Sequence, residues 1–281
     1  MSASADDLTL ALALADVADE ITLARFRAHD LVVETKPDLT PVSEADTAVE
    51  RALRERLASA APADAVIGEE YGGDEPSDRT PPARRWIVDP IDGTKSYVRG
   101  VPAWATLLAL EQDGGITVGV VSAPALGRRW WAARGHGAFA SEGLPGGRLA
   151  SGGSGAGGPA VEPRRLRVSA VRELGDAQLC FGGMEEWRQA GRLDALLELG
   201  ARCWRTRGYG DFWSYMLVAE GAVEIGCDPA VSLWDMAAPM IVVQEAGGRF
   251  TDLAGAETAD GGSGLATNGI LHDAARAIIG R

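Results

Sequence analysis

Apolar and polar positions switch between helical and strand spacing along this chain, and the switches mark its elements. Leu8, Leu10, Leu12, Leu14, Val17, Ile21 and Leu23 fall mostly on one broad face with Asp16, Asp19 and Glu20 off it, which predicts an amphipathic helix ending near His29. A second helix is expected after Pro41, with Ser43 as N-cap, Asp46 three residues on as its capping-box partner, and Val49, Leu53 and Leu57 inward. The runs 65–67 and 86–88 are short, apolar and stop at acidic residues, as strands do when they deliver side chains to a site. The runs 104–110 and 116–121 meet through Asp113-Gly114-Gly115 and predict a β-hairpin, and 129–133 with 138–140 predicts another. The first half therefore reads as helices on an antiparallel sheet.

From 141 to 162 the composition shifts to Gly, Ser and Pro, the signature of a linker or a long hairpin loop. Gly153, Gly155 and Gly158 match G-x-G-x-x-G there, but neither the preceding strand nor the following helix of a dinucleotide site is visible. Beyond Leu166 the pattern alternates: strand 177–181, helix 185–199, strand 203–206, helix 211–220, strand 223–226, helix 233–246. The expected organisation is an α+β half over 1–140, a Gly-rich connection over 141–162, and an α/β half over 163–281 that completes a shared site.

The 281 residues are 46% hydrophobic and 24% charged, a globular balance that excludes disorder or a coiled coil as the main state. A formal net charge of −13 argues against nucleic acid as a partner. No apolar run reaches the roughly 18 residues of a membrane span, and the apolar stretch 8–15 follows Asp6 and Asp7 rather than a basic segment, which argues against export. Cys180, Cys203 and Cys227 form no C-x-x-C pair and fit reduced thiols in the cytoplasm. With three histidines in the chain, a metal is expected among oxygen ligands.

The segment Trp86-Ile-Val-Asp89-Pro-Ile-Asp92-Gly93-Thr94-Lys95 carries the chemistry. Two carboxylates three residues apart on a Pro-constrained turn can converge on one hard cation such as Mg²⁺, and Gly93 and Thr94 can open a helix whose N–H groups hold phosphate. Asp-Pro and Asp-Gly are also ordinary turn formers. Two further segments point to a site, because Gly68-Glu69-Glu70 ends one strand run and Trp234-Asp235 opens a later helix. Lys95 does not belong to a nucleotide-binding loop, since no Gly stands five positions before Gly93.

These segments, in order, with Asp46 upstream and Glu245-Ala-Gly-Gly248 downstream, resemble the inositol monophosphatase superfamily over nearly the whole chain. Thr35-Lys-Pro-Asp-Leu-Thr-Pro41, Arg128-Arg-Trp-Trp-Ala-Ala-Arg-Gly135, Tyr209-Gly-Asp-Phe212 and Ala266-Thr-Asn-Gly269 resemble, more narrowly, actinobacterial-type histidinol-phosphate phosphatases. The resemblance implies a layered αβαβα fold and a Mg²⁺-dependent, lithium-sensitive phosphomonoesterase, with Mn²⁺ as a possible substitute. It also implies a homodimer acting on a small phosphomonoester, with L-histidinol phosphate as substrate in the narrower match. The competing readings are an inositol or broader sugar-phosphate phosphatase, and a noncatalytic metal-binding regulator.

By resemblance, Glu69, Asp89 and the Ile91 carbonyl hold one metal and Asp89, Asp92 and Asp235 a second, while Asp46 and Thr94, with Glu69, orient the attacking water. Glu70 is expected to stand behind these ligands or to be an additional metal contact rather than a primary ligand, and Lys36 to be an outer electrostatic contact or a solvated lysine. Asp46 can equally be the capping-box acid, and Asp235 a helix-start acid. Gly93 and Thr94 would hold the phosphate. Asp211 and Asp228 are candidates for an ammonium or imidazole of the substrate, against plain readings as an N-cap and an Asp-Pro turn.

Overall fold

The computed structural model describes residues 5–37, 39–73, 83–142 and 162–281. An eight-stranded sheet runs, edge to edge, Arg164–Arg165, Gly137–Glu142, Arg128–Ala133, Gly115–Ala123, Ala105–Gln112, Arg84–Asp92, Ala65–Gly68 and Gly72–Gly73. Its neighbours are antiparallel except Ala65–Gly68 beside Arg84–Asp92, which is parallel. A five-stranded sheet runs Arg205–Arg207, Gln178–Phe181, Ile225–Asp228, Gly264–Thr267 and Arg249–Thr251, parallel over the first three and antiparallel over the rest.

Strand alternation builds the layers. Trp86, Val88, Leu108, Leu110, Val118 and Val120 point to one face of the large sheet and bury against helices Ala5–Arg25 and Glu44–Ala60. Ile87, Leu107, Val121 and Trp130 point to the other and meet Phe212, Met216, Ala237 and Ile241 of helices Asp211–Ala219 and Leu233–Glu245. Cys180, Phe250 and Ala266 of the second sheet close the same core from beyond those helices. Leu179, Ile225, Cys227 and Leu265 face outward, onto Trp187, Leu196, Leu199 and Ile278 of the last helical layer. The order is helix, sheet, helix, sheet, helix.

Several expectations hold closely. The Ser43 capping box forms at the start of Glu44–Ala60. The hairpin turns on Asp113 (φ 52°) and Gly114 (φ 77°), the two positive-φ residues a two-residue connection needs. The first helix is built differently from its leucine pattern. Its buried line is Ala11, Leu14, Ala15, Ala18, Asp19 and Thr22, with Asp19, expected off the apolar face, paired to Arg129, while Leu8, Leu10, Leu12, Val17 and Ile21 are only partly covered, because small residues let it lie close on the sheet and its neighbouring helix. It ends at Arg25 rather than near His29. The helix expected over 185–199 is two, Met184–Gln189 and Leu193–Arg202, broken where Gly191 takes a φ of 69°. The hairpin Val33–Thr35 with Pro41–Ser43, the strands Arg249–Thr251 and Gly264–Thr267, and helix His272–Ile279 carried too few periodic positions to be read. Residues 143–161, with the three glycines of the G-x-G-x-x-G match, lie outside the described residues, and the strands on either side of them pair antiparallel.

Gly119 sets the depth of the central helix. A Cβ there would lie 2.4 Å from Ile241 Cγ2 and 2.9 Å from the Ala238 carbonyl, so only glycine lets Leu233–Glu245 press this closely on the large sheet. That approach brings the N-terminus of this helix, with Asp235, to the end of strand Arg84–Asp92.

Candidate active site

Asp89 and Asp92 are three residues apart in one strand, a spacing that normally sends side chains to opposite faces. The register solves this. Asp89 pairs with Leu107 and Asp92 with Ala105, so one extra residue is inserted between them, and the bulge reverses the alternation. Pro90, which has no N–H to lose, sits in that bulge. The strand thus runs through Asp92, where the sequence suggested that it gave way to a turn after Val88. Asp89, Asp92 and Asp235 come together with ligand oxygens all within 4.8 Å of one another.

Crowding of this kind is costly without a cation. Burial first, then the charges of neighbouring carboxylates, pushes Asp89 and Asp92 well above the ordinary carboxylate range. Burial raises Asp235 to about 6 despite the Ser232 N–H donating to its Oδ2 at 2.7 Å. Asp89 Oδ1 is buried with no hydrogen-bond partner. An orphaned carboxylate oxygen among acids is what a divalent cation would satisfy, and the all-oxygen donor set suits a hard one. The residues fit a metal.

Glu69 lies beside this group at the end of Ala65–Gly68, and its Oε1 is 2.8 Å from Lys36 Nζ. The same ammonium is 2.7 Å from Glu70 Oε1, so Lys36 is a bridge between two acids rather than a solvated lysine. Burial would lower the Lys36 pKa, but the hydrogen bonds to Glu69 and Glu70 outweigh it and raise it. Burial raises Glu70 to about 7 against the pull of Lys36.

Asp46 resolves its two readings by dividing its oxygens. Oδ2 accepts the Ser43 N–H at 2.8 Å and the Ser43 hydroxyl at 2.6 Å, which is the cap; Oδ1 lies 3.2 Å from Thr94 Oγ1. Thr94 Oγ1 is also 2.9 Å from the Ile91 carbonyl oxygen, so its single proton has two acceptors. Burial raises the Asp46 pKa, partly offset by these bonds. Asp235 has the same double position, third in a capping box with Ser232 and at the same time part of the acidic group. The signal Ser232-x-x-Asp235 was present in the sequence and was missed.

Gly93 (φ 85°) caps the short helix Thr94–Val98. A Cβ there would meet the Ala103 carbonyl at 3.0 Å and Asp211 Oδ2 at 3.2 Å, so the Gly93-Thr94 backbone and Asp211 share one wall. Gly210, not Asp211, takes the cap position of Asp211–Ala219. The Asp211 carboxylate makes no hydrogen bond among the described residues. It is pushed up to about 6, first by the protein that shields it from water and then by the charge of Glu186.

Two connected clefts meet at these residues. One, of about 380 Å³, is lined by Lys36, Glu69, Asp89, Asp92, Thr94 and Asp235 among others. The second, of about 580 Å³, shares Asp92, Lys95, Asp211 and Asp235 with it and extends past Glu185, Glu186 and Asp228. Asp228 lines this second cleft with both oxygens engaged: the Gly182 N–H donates to Oδ1 and the Tyr215 hydroxyl to Oδ2, each at 2.7 Å. Burial raises it to about 7. Sequence reasoning also missed Glu50. It is fully buried and accepts the Glu70 N–H at 2.8 Å, which anchors the turn that carries Glu69.

The family model for the inositol monophosphatases matches residues 5–279. The chain belongs to the inositol monophosphatase family. Among curated relatives it is 56% identical to a histidinol-phosphatase of Mycobacterium tuberculosis over 270 residues, 96% of each chain. It is 52% identical to a histidinol-phosphatase of Streptomyces coelicolor, over 95% of this chain and 94% of the relative. Among solved structures, the extragenic suppressor protein SuhB of Bartonella henselae superposes with a TM-score of 0.82 at 26% identity, covering 98% of both chains. An inositol monophosphatase of Thermotoga maritima does so at 0.80 and 27% identity, over 98% of this chain and 96% of that one. The layered architecture is that of this family. No helix among the described residues is long and apolar enough to cross a membrane.

Proposed function

We propose that this chain is a Mg²⁺-dependent phosphomonoesterase that hydrolyses L-histidinol phosphate to L-histidinol and inorganic phosphate. The observation that carries the substrate is the second cleft. It opens from the carboxylate group and is walled by Glu185, Glu186, Asp211 and Asp228, a lining suited to an ammonium and an imidazole and of no charge benefit to a neutral polyol. The identity to two histidinol-phosphatases over nearly full length supports the same substrate.

In this reading Glu69, Asp89, the Ile91 carbonyl, Asp92 and Asp235 hold the metal ions, and Mn²⁺ substitutes for Mg²⁺. Such ions, when bound, supply activation of water and stabilisation of the charge that develops on the ester oxygen. The remaining work falls to the chain. The N–H groups of Gly93 and Thr94 hold the phosphate, which leaves Lys95 free for the second cleft. Thr94 donates its hydroxyl proton to Asp46 Oδ1, and so leaves lone pairs on Oγ1 to accept from the attacking water and aim it. Asp46 is held for this by the Ser43 bonds on its other oxygen. Asp211, at the junction of the clefts, receives the ammonium, and Asp228, fixed by Gly182 and Tyr215, adds negative field behind it.

A homodimer in the cytoplasm is part of the same proposal, supported by the family and by three unpaired cysteines, of which Cys180 and Cys227 are buried. Light scattering on the purified protein tests the dimer. Phosphate release measured side by side on L-histidinol phosphate, inositol 1-phosphate, fructose 1,6-bisphosphate and an adenosine bisphosphate, with Mg²⁺ and with excess chelator, tests the function. Preference for L-histidinol phosphate that chelator abolishes is expected. Equal or better turnover of inositol phosphate would replace the substrate, and full activity in chelator would end the metal reading.

A further inference from the structure

Glu186 belongs to no motif singled out in the sequence, yet its carboxylate is built into the second cleft. It lies on helix Met184–Gln189, whose start is fixed by the Glu186 N–H donating to the Gly183 carbonyl at 3.1 Å. Its side chain folds back over the two preceding glycines. A Cβ at Gly182 would lie 3.3 Å from Glu186 Oε2 and 2.3 Å from Asp228 Oδ1, and one at Gly183 would lie 3.4 Å from the Glu186 carboxyl carbon. The glycine pair thus allows two carboxylates from different elements to approach one backbone turn. Across the cleft Lys95 Nζ stands 3.7 Å from Glu186 Oε1, with side chains 73% and 41% exposed. A pair this long and this exposed is separated at little cost.

Position in the cleft assigns the acids an order. Asp211 borders both the carboxylate group and the second cleft, whereas Glu186 borders only the second. In L-histidinol phosphate the ammonium is on the carbon next to the phosphate-bearing one, and the imidazole lies farther along. We propose that Glu186 is a specificity-determining residue that accepts a hydrogen bond from the imidazole of the substrate, displacing Lys95 as its partner. This rests on the histidinol phosphate reading and deepens it. No bond is made or broken at Glu186; it selects what is bound beyond the ammonium. Its charge is also felt by the other acids of the cleft, since it contributes to the upward shifts of Asp211 and Asp228, and a substrate that pairs with it relieves that repulsion.

The test compares wild type with Glu186→Gln at fixed Mg²⁺ on two substrates, L-histidinol phosphate and 2-aminopropyl phosphate, which keeps the phosphate ester and ammonium but has no ring. Turnover of the ringless substrate reports that the variant is folded and its metal site intact. Expected is about a tenfold loss of kcat/KM on L-histidinol phosphate, mainly in KM, with change within about twofold on the ringless one. Equal losses on both, or no loss on either, would overturn the role of Glu186 while leaving the substrate assignment standing. Wild-type enzyme that does not prefer L-histidinol phosphate to inositol 1-phosphate would remove both, whatever the variant does.

Discussion

The Glu50 carboxylate fills the space in which a side chain at Gly68 would begin: a Cβ on Gly68 would lie 2.1 Å from Glu50 Oε1. Glu50 can then reach the backbone beyond, accepting from the Glu70 N–H at 2.8 Å, while Arg54 Nε donates to its Oε1 at 2.9 Å. A buried acid on one helix and a missing side chain on one strand together fix the turn that presents Glu69. Gly68→Ala should expel the Glu50 side chain and cost about 1–3 kcal/mol of stability. Because the turn moves with it, Mg²⁺ affinity should fall as well. Urea unfolding and isothermal titration with Mg²⁺ check both, and a variant with wild-type metal affinity would remove Glu50 and Gly68 from the support of the site.

Asp92→Asn keeps shape and deletes a charge from a group of crowded carboxylates. Turnover should drop by at least tenfold at limiting Mg²⁺, while the metal-free variant should melt no lower than metal-free wild type, since repulsion is relieved. Scanning calorimetry in chelator and a Mg²⁺ titration of the rate measure the two effects. Near-wild-type turnover at low Mg²⁺ would release Asp92 from the ligand set.

Asp211 and Asp228 should separate in their effects on substrate. Asp211 has no hydrogen bond within the described protein, so Asp211→Asn should cost L-histidinol phosphate on the order of 1–3 kcal/mol in kcat/KM and a polyol phosphate much less. Asp228 already serves Gly182 and Tyr215, so Asp228→Asn should also lower the melting temperature. The ratio of kcat/KM on the two substrates, with a melting curve for each variant, decides. Equal losses on both substrates for Asp211→Asn would make it a support of the fold or of the metals.

His272 carries a pH dependence outside the site. It is fully buried between two hydroxyls, with Nδ1 3.0 Å from Thr267 Oγ1 and Nε2 3.1 Å from Thr251 Oγ1. Thr251 donates to the Asp252 carbonyl, so it accepts from an Nε2–H, and Nδ1 accepts from Thr267. Burial pushes the pKa down to about 4, below its unfolded value near 6.5. The neutral ring is the one the fold holds. Its contribution is therefore complete above about pH 6.5 and is lost as pH falls toward 4, by up to roughly 3 kcal/mol. Urea unfolding across pH 4–7 should show a shallower slope for His272→Gln than for wild type. Parallel slopes would mean that His272 binds its proton equally in the folded and unfolded chains, with no downward shift in the fold.

Much of this protein is decided locally, and the sequence reveals that much. The Ser43 and Asp46 spacing, the Asp113-Gly114 turn and the alternation of strands facing two helical layers are properties of a few neighbouring residues, and each formed as the pattern required. The acidic residues of the site are legible for the same reason, because they stand next to short apolar runs or helix starts in the sequence, even though Asp89 lies inside its strand. What brings them together is not local. The bulge that turns Asp89 and Asp92 to one side exists only against the partner strand, and Asp235 arrives only because Gly119 admits a helix from the other half of the chain. The leucine pattern of the first helix misdirected its buried face, since close packing between elements, which no single segment records, favours alanine there. Glu50 and Glu186 were invisible for the same physical reason: each acts on backbone or space supplied by a distant segment, and that proximity is settled by tertiary packing alone.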